Sequence, residues 1–408
     1  MAASTLAPPI RIARAAVFAV FGLNGFLGAM WVVHIPAVTE RTGVSNATLG
    51  MLILLMAASA IVGMQAAGPL ADRFGSRALV AAAAGWLSFT VIGPGLAAGP
   101  VSLAIALMLF GFGNGALDVS MNAQAVHVER EYPRPIMGAF HALFSCGGLI
   151  GSLAGAAALH VGWDLRFTLA LAAVIGIMLV ALWVPKMLPR TARTDTANDA
   201  MDLPHPAGRR TPGHKTATEA ERAARKSVQR KVFALAAIAF AFLMTEGVAN
   251  DWSALQVREH LGASQATAAL AFAAFSTTMT AGRFAADRIS ARFGPVAVVR
   301  CGALLAAAGL VLIISSIWVP LTLIGWGLMG IGLSGGIPQI FTAAGNLGTA
   351  TAATDMSRVF SLGYLGLLAG PSVIGWISKP TSLTAALLVP LAAVLLCAWF
   401  ARIVRTNS

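Results

Sequence analysis

The chain has 408 residues, of which 57% are hydrophobic and only 11% are charged. Soluble domains carry about 25% charged residues, so this composition excludes a soluble globular enzyme, a disordered protein and a secreted disulfide scaffold, and it indicates a polytopic membrane protein. The net charge of +12 would suggest a nucleic-acid partner in a soluble chain, but the positions of the basic residues have another explanation, given below.

Twelve segments are long and apolar enough to cross a bilayer as helices, because a span needs about 20 mostly apolar residues. The predicted spans are residues 14–38, 47–70, 77–97, 101–127, 135–160, 165–185, 231–257, 264–286, 295–315, 318–346, 356–378 and 382–403. Helices satisfy their own backbone hydrogen bonds inside lipid. We therefore predict an all-α membrane protein with twelve transmembrane helices.

Lysine and arginine are divided unevenly between the two ends of these spans. The end that holds the N-terminus and the central loop takes 24 of them, including Arg283, whereas the other end takes four. Such a bias places the basic loops on the cytoplasmic side. We therefore expect both termini and the central loop to be cytoplasmic, in a multi-pass protein of the cell membrane, and no nucleic-acid partner is needed to explain the charge.

The two halves of the sequence match at a constant offset of 219 residues. Ser45 corresponds to Ser264, Gly63 to Gly282, and residues 73–75 to 292–294. A constant offset over several helices predicts two six-helix bundles in the same orientation, a parallel repeat in which the substrate site lies between the bundles. The predicted domains are residues 1–186 (first bundle), 187–230 (a solvated cytoplasmic linker, with a regulatory or lipid-binding segment as the alternative) and 231–408 (second bundle).

Residues 68–77, with the sequence GPLADRFGSR, connect the second and third spans. Their glycine, acidic and basic positions are Gly68, Asp72, Arg73, Gly75 and Arg77. This pattern resembles G-x-x-x-D-R-x-G-x-R, the signature loop of the major facilitator superfamily. The resemblance covers nearly the whole chain and implies the two-bundle fold, alternating access, and a gating role for these residues. A small residue such as Gly68 also permits close helix approach.

A diverged copy of this loop follows the eighth span, where Asp287 and Arg288 precede residues 292–294. Under the same resemblance these two residues also belong to the gate. An aspartate at such a position can accept hydrogen bonds from the N-terminus of a neighbouring helix, where the helix dipole is positive.

The fourth span contains Asn114, Asp118 and Asn122, which lie four residues apart and therefore form one polar stripe on a helix. Residues 113–122 resemble the fourth helix of the fucose permease-like branch, which implies that Asp118 is a proton carrier; a structural hydrogen bond is the alternative. The branch also carries an acid in its first helix, whereas residues 28–36 of this chain contain none.

Other polar side chains inside the spans are candidates for transport, because buried ionisable groups in membranes usually face a water-filled path or a partner. Glu246 in the seventh span is a candidate for proton or solute binding, and His141 in the fifth span for proton relay, although either could be structural. Further candidates to bind the solute, beyond Asn114 and Asn122, are Asn250, Asp251, Trp31, Asn24 and Gln339.

The sequence gives little support for an enzyme. Residues 332–336 fit G-x-S-x-G around Ser334, but no strand is predicted before this serine, as a hydrolase would need. No P-loop for ATP is present, and the three cysteines are too far apart in sequence to suggest a metal site or a disulfide framework. We expect no cofactor.

The sequence thus predicts a secondary transporter that moves a small polar solute, by proton-coupled symport. The alternative is proton-coupled efflux of an amphipathic drug or metabolite. The expected partners are the solute, protons and the lipid bilayer, and we expect a monomer.

Overall fold

A computed structural model describes residues 8–189, 219–347 and 351–405. Within these ranges the regular elements are all helical, and there is no strand. The first half contains α1 (Pro8–Thr42), α2 (Asn46–Phe74), α3 (Ser76–Thr90), α4 (Gly93–Leu96), α5 (Pro100–Arg130), α6 (Met137–His160) and α7 (Leu165–Trp183), followed by a 3-10 turn at Val184–Lys186.

The second half contains α8 (Glu219–Leu261), α9 (Gln265–Phe293), α10 (Pro295–Ser315), α11 (Val319–Ser334), α12 (Gly336–Gly345), α13 (Ala352–Ser378), α14 (Leu383–Ala386) and α15 (Leu388–Phe400), with a 3-10 turn at Ala401–Val404. Most of the predicted linker, residues 190–218, lies outside the described residues. Residues 219–230 of that linker are helical and continue directly into the seventh predicted span as part of α8.

Eleven helical stretches of the described residues are long and apolar enough to cross a membrane. The helix α9, which corresponds to the predicted span 264–286, is not among them. Its middle carries Ser276, Thr277, Thr278 and Thr280, and Arg283 follows one turn later. These polar residues lower the hydropathy of α9 relative to the other spans.

The two halves repeat the same helix pairs. In the first half α1 packs on α6 and α2 on α5, and in the second half the equivalent helices α8 and α13, and α9 and α11, pack together. Between the halves, α2 meets α13 and α9 meets α6. The repeat extends to helix ends, since the hydroxyls of Ser45 and Ser264 each accept a bond from the backbone N–H three residues later.

Glycines set the distance between several paired helices. A Cβ atom at Gly115 of α5 would overlap the carbonyl of Ala60 of α2. A Cβ at Gly147 of α6 would overlap the carbonyl of Gly22 of α1 in the same way. Small residues let helix backbones approach closely in membranes, where packing rather than the hydrophobic effect holds helices together.

The tenth predicted span, 318–346, is broken into α11 and α12 at Gly335. Pro338 lacks a backbone N–H, so the Ser334 carbonyl loses its usual helical partner. Position 336 at the break requires a glycine, because a Cβ atom there would overlap the ring of Phe242. The break directs Ser334, Ile337 and Pro338 toward the space between the two halves.

Candidate solute pathway

A cavity of about 210 Å³ lies between the two halves. The first half lines it with side chains of α1, α5 and α6, and the second half with side chains of α8, α9, α11, α12 and α13. The lining residues are Phe21, Asp118, Met121, His141, Phe144, Leu243, Glu246, Met279, Arg283, Leu333, Ser334, Ile337, Pro338, Phe341, Tyr364 and Leu367. Three predicted transport residues, Asp118, Glu246 and His141, therefore face one cavity.

Asp118 is a buried carboxylate whose neighbours come from both halves. Asn122, one turn later on α5, donates from Nδ2 to Asp118 Oδ1 at 3.2 Å and to the Asp118 carbonyl at 2.9 Å. Tyr364 of α13 lines the same cavity as Asp118 from the second half. Asn122 is fully buried, so in this arrangement it orients Asp118 and does not line the cavity.

Glu246 of α8 pairs with an arginine inside the cavity. Arg283 Nη2 lies 3.4 Å from Glu246 Oε1, and Arg283 Nη1 donates to Ser145 Oγ of α6 at 2.8 Å. From the sequence, Arg283 counted only as one of the basic residues at the cytoplasmic end of the spans; in the structure it lines the cavity between the two halves. The available signal was its position inside the predicted span 264–286, since a buried arginine in a span needs a partner.

His141 lies among aromatic rings at the cavity wall. Its ring centroid is 5.4 Å from that of Phe21 and 6.0 Å from that of Phe341. Phe341 in turn stacks on Phe360 at 3.6 Å. The apolar lining of the cavity therefore combines three phenylalanines with a larger number of aliphatic and methionine side chains. The polar lining consists of Asp118, Tyr364, Glu246, Arg283, His141 and Ser334.

The other predicted binding residues do not line this cavity. Asn24 is buried behind it and donates to Met121 Sδ at 3.7 Å, while Trp31 is buried in the first half. Gln339 accepts a bond from Ser290 Oγ at 2.8 Å in a separate pocket beside Glu129. The remaining three are the half-buried Asn114 and the exposed Asn250 and Asp251.

The predicted gate residue Asp72 links the two halves. Its carboxylate accepts bonds from the backbone N–H groups of Ala353 and Thr354, each at 3.0 Å, and from Thr354 Oγ1 at 2.6 Å. Both partners belong to the first turn of α13, where an anion is favoured by the helix dipole. Gly68 allows this approach, because a Cβ there would lie 2.5 Å from Ser357 Oγ.

Asp287 makes the corresponding link from the second half. Its two carboxylate oxygens accept bonds from the backbone N–H groups of Gly138 and Ala139 at the start of α6, both at 2.7 Å. Gly138 is again suited to the contact, since a Cβ there would lie 2.8 Å from Asp287 Oδ1. Arg288, the other predicted gate residue of this loop, is exposed.

The remaining gate residues shape the loop between α2 and α3. Gly75 has φ = 88°, a left-handed conformation that glycine adopts without strain. Arg73 lies over the Phe74 ring at 5.1 Å, and Arg77 Nη1 reaches the Met187 carbonyl at 3.5 Å. These contacts lie within the first half, whereas Gly68 and Asp72 of the same motif contact α13 of the second half.

Two residues at the end of α5 that were not among the predicted site residues also join the halves. Glu129 accepts bonds from the Ile136 and Met137 N–H groups, both at 2.9 Å, and from Thr342 Oγ1 at 2.8 Å. Arg130 Nε donates to Asn346 Oδ1 at 2.7 Å, and its Nη2 donates to the Gly345 carbonyl. Together with the contacts of Asp72 and Asp287, these bonds join the two halves.

The family model described as Major Facilitator Superfamily matches residues 15–255 and 234–408. The chain belongs to this superfamily. An uncharacterized MFS-type transporter of Yersinia pestis is 32% identical over 366 residues, which cover 90% of this chain and 89% of that protein. The protein is therefore a membrane transporter and not an enzyme. Ser334, the serine of the G-x-S-x-G pattern, donates from its hydroxyl within its own helix to the Ile331 carbonyl at 2.6 Å.

Solved transporters share the fold at low sequence identity. FucP in the outward conformation aligns with a TM-score of 0.76 at 16% identity, covering 98% of this chain and 100% of that chain. The proton:xylose symporter XylE aligns with a TM-score of 0.70 at 16% identity, covering 97% and 96% of the two chains. These likenesses establish the fold, in agreement with the superfamily resemblance in the sequence.

Proposed function

We propose that this protein is a proton-coupled symporter of a small polar solute. It spans the cytoplasmic membrane twelve times, and both of its termini lie in the cytoplasm. The observation that carries the proposal is the buried Asp118 carboxyl, which faces the cavity from one half while Tyr364 lines the same cavity from the other. A proton on Asp118 changes the charge between the two halves, and this links proton binding to their relative movement.

The gate contacts support alternating access. Asp72 and Asp287 each bind the first turn of a helix in the opposite half, so the ends of the two halves can separate only when these bonds break. Proton and solute binding in the cavity would shift the balance between this closed arrangement and one that is open to the cytoplasm.

The fold neighbours support symport as the first choice. FucP is described as a fucose:proton symporter and XylE as a proton:xylose symporter. The cavity of about 210 Å³ is smaller than the 300–1,000 Å³ typical of pockets for drug-sized ligands, which favours a small solute.

The experiment uses purified protein in proteoliposomes with an imposed inward proton gradient. Solutes are first chosen by thermal shift from L-fucose, D-xylose, uronates and amines, since a ligand of the folded state raises its melting temperature. We expect the gradient to drive accumulation, and Asp118→Asn to abolish accumulation but keep exchange of solute across the membrane. Ser120→Ala, a buried polar position on α5 bonded within its own helix, is the matched control. Uptake that is the same with and without the proton gradient would refute proton coupling.

Proton-coupled efflux of an amphipathic compound is the second candidate, favoured by the aromatic lining from Phe21, Phe144 and Phe341. The same vesicles separate the two by direction. Symport moves solute inward with the protons, whereas efflux by antiport moves it against them.

A further inference from the structure

The ion pair in the cavity has no role in the function proposed so far. Arg283 and Glu246 are 17% and 18% exposed, so both can be reached from the cavity. Their contact is a single one of 3.4 Å, longer than the 2.7–2.9 Å usual for a charge-assisted bond. Ser145 holds the arginine more closely, at 2.8 Å. The arginine is therefore well anchored, and its anion is loosely held.

The two partners differ in what happens when they separate. A guanidinium group stays protonated at any physiological pH, so Arg283 needs an anion at all times in a cavity with little water. A carboxyl group can instead become neutral by binding a proton. An incoming anion can therefore replace Glu246 on Arg283 without leaving a charge unpaired. An incoming cation that bound Glu246 would instead leave Arg283 unpaired.

We infer that the transported solute is a small hydroxylated monocarboxylate, whose carboxylate replaces Glu246 on Arg283 while Glu246 takes up one proton. This inference rests on the proposed transport through the cavity and adds the class of solute. The charges balance, because one anion and one proton enter the cavity together. The hydroxyl groups of the solute face Asp118, Tyr364 and His141.

A single arginine suits a single negative charge. Among the lining residues that the structure describes, Arg283 is the one lysine or arginine side chain. A phosphate dianion would bring a second charge that has no cation here, and it would lie close to Asp118. The carboxylate is also planar, which matches the fork of guanidinium donors.

The test measures binding to the purified full-length protein by isothermal titration calorimetry. The carboxylates are D-glucuronate, D-gluconate and D-lactate; the comparison ligands are D-glucose, D-glucosamine and glucose 6-phosphate. We expect at least one carboxylate to bind about tenfold more tightly than every comparison ligand. Heats measured in buffers of different ionisation enthalpy should reveal uptake of roughly one proton for each carboxylate bound.

Variants separate the arginine from its partner. Arg283→Gln should lose the preference for the carboxylate, and Arg283→Lys should keep it at lower affinity. Glu246→Gln should still bind the carboxylate but without the proton uptake. Arg258→Gln is the matched control, because Arg258 lies on α8, the helix of Glu246, and is exposed. Thermal unfolding verifies that each variant is folded.

Three results would overturn the inference: no carboxylate binds, a neutral, amino or phosphate ligand binds as tightly, or Arg283→Gln and Arg258→Gln behave alike. Failure of the proposed symport would show in the vesicle experiment, as solute uptake that does not depend on the proton gradient. Carboxylate binding to the Asp118→Asn protein distinguishes the two, since it requires Arg283 and not Asp118.

Discussion

Removing the Asp72 carboxylate should open the gate end of the pathway. In the structure Asp72 accepts three hydrogen bonds from the first turn of α13, two from backbone N–H groups and one from the Thr354 hydroxyl. A net contribution of about 1 kcal/mol for each bond, reduced because the site is partly exposed, gives roughly 2 kcal/mol in favour of the closed arrangement. Asp72→Ala should therefore increase the open population about 30-fold.

The assay is the rate at which a buried cysteine reacts with a maleimide in the purified protein. Val126 is 2% exposed and lies beside Asp72 and Gly345 in the closed end. We would introduce Val126→Cys after replacing Cys146, Cys301 and Cys397 with alanine. Reaction at this position requires the two halves to separate, so its rate follows the open population.

Two variants set the scale. Thr354→Val removes only the hydroxyl bond and should raise the rate by a few fold, since one bond contributes about 1 kcal/mol. Arg258→Ala removes an exposed side chain of α8 that is not part of the gate and should leave the rate unchanged. A rate for Asp72→Ala within about twofold of its parent would refute the idea that this latch holds the halves together.

Two further changes test the packing and the proton site. Gly115→Ala should lower the melting temperature, because the added Cβ overlaps the Ala60 carbonyl and overpacking costs about 1–3 kcal/mol. The control is Gly85→Ala, where an added Cβ meets nothing within 4 Å. Equal melting temperatures of the two variants would contradict the close approach of α5 and α2. Tyr364→Phe removes only the hydroxyl of a side chain that lines the cavity with Asp118. It should weaken gradient-driven accumulation in vesicles less than Asp118→Asn does, and an equal loss would mean that the hydroxyl itself is required.

The polar residues of the spans show why the site was only partly predictable. Asp118, Glu246 and His141 stand out because ionisable residues are rare in apolar helices, and all three line the cavity. Arg283 was counted with the basic residues of the cytoplasmic side because it lies near the predicted end of a span, where basic residues usually mark topology. Tyr364 was missed because an aromatic residue in a span has no unusual hydropathy, and its role depends on α13 meeting α5.

Local sequence therefore determined the helical fold, the repeat, the loop glycines and the presence of buried charges, because hydropathy, helix capping and backbone conformation act over a few residues. Only the tertiary structure decided which charges are partners. Glu246 and Arg283 are 37 residues apart, Asp72 and Thr354 are 282 apart, and nothing in a sequence window links them. Their pairing depends on how whole helices rotate and pack, since a helix turned by one residue moves each side chain by about 100°.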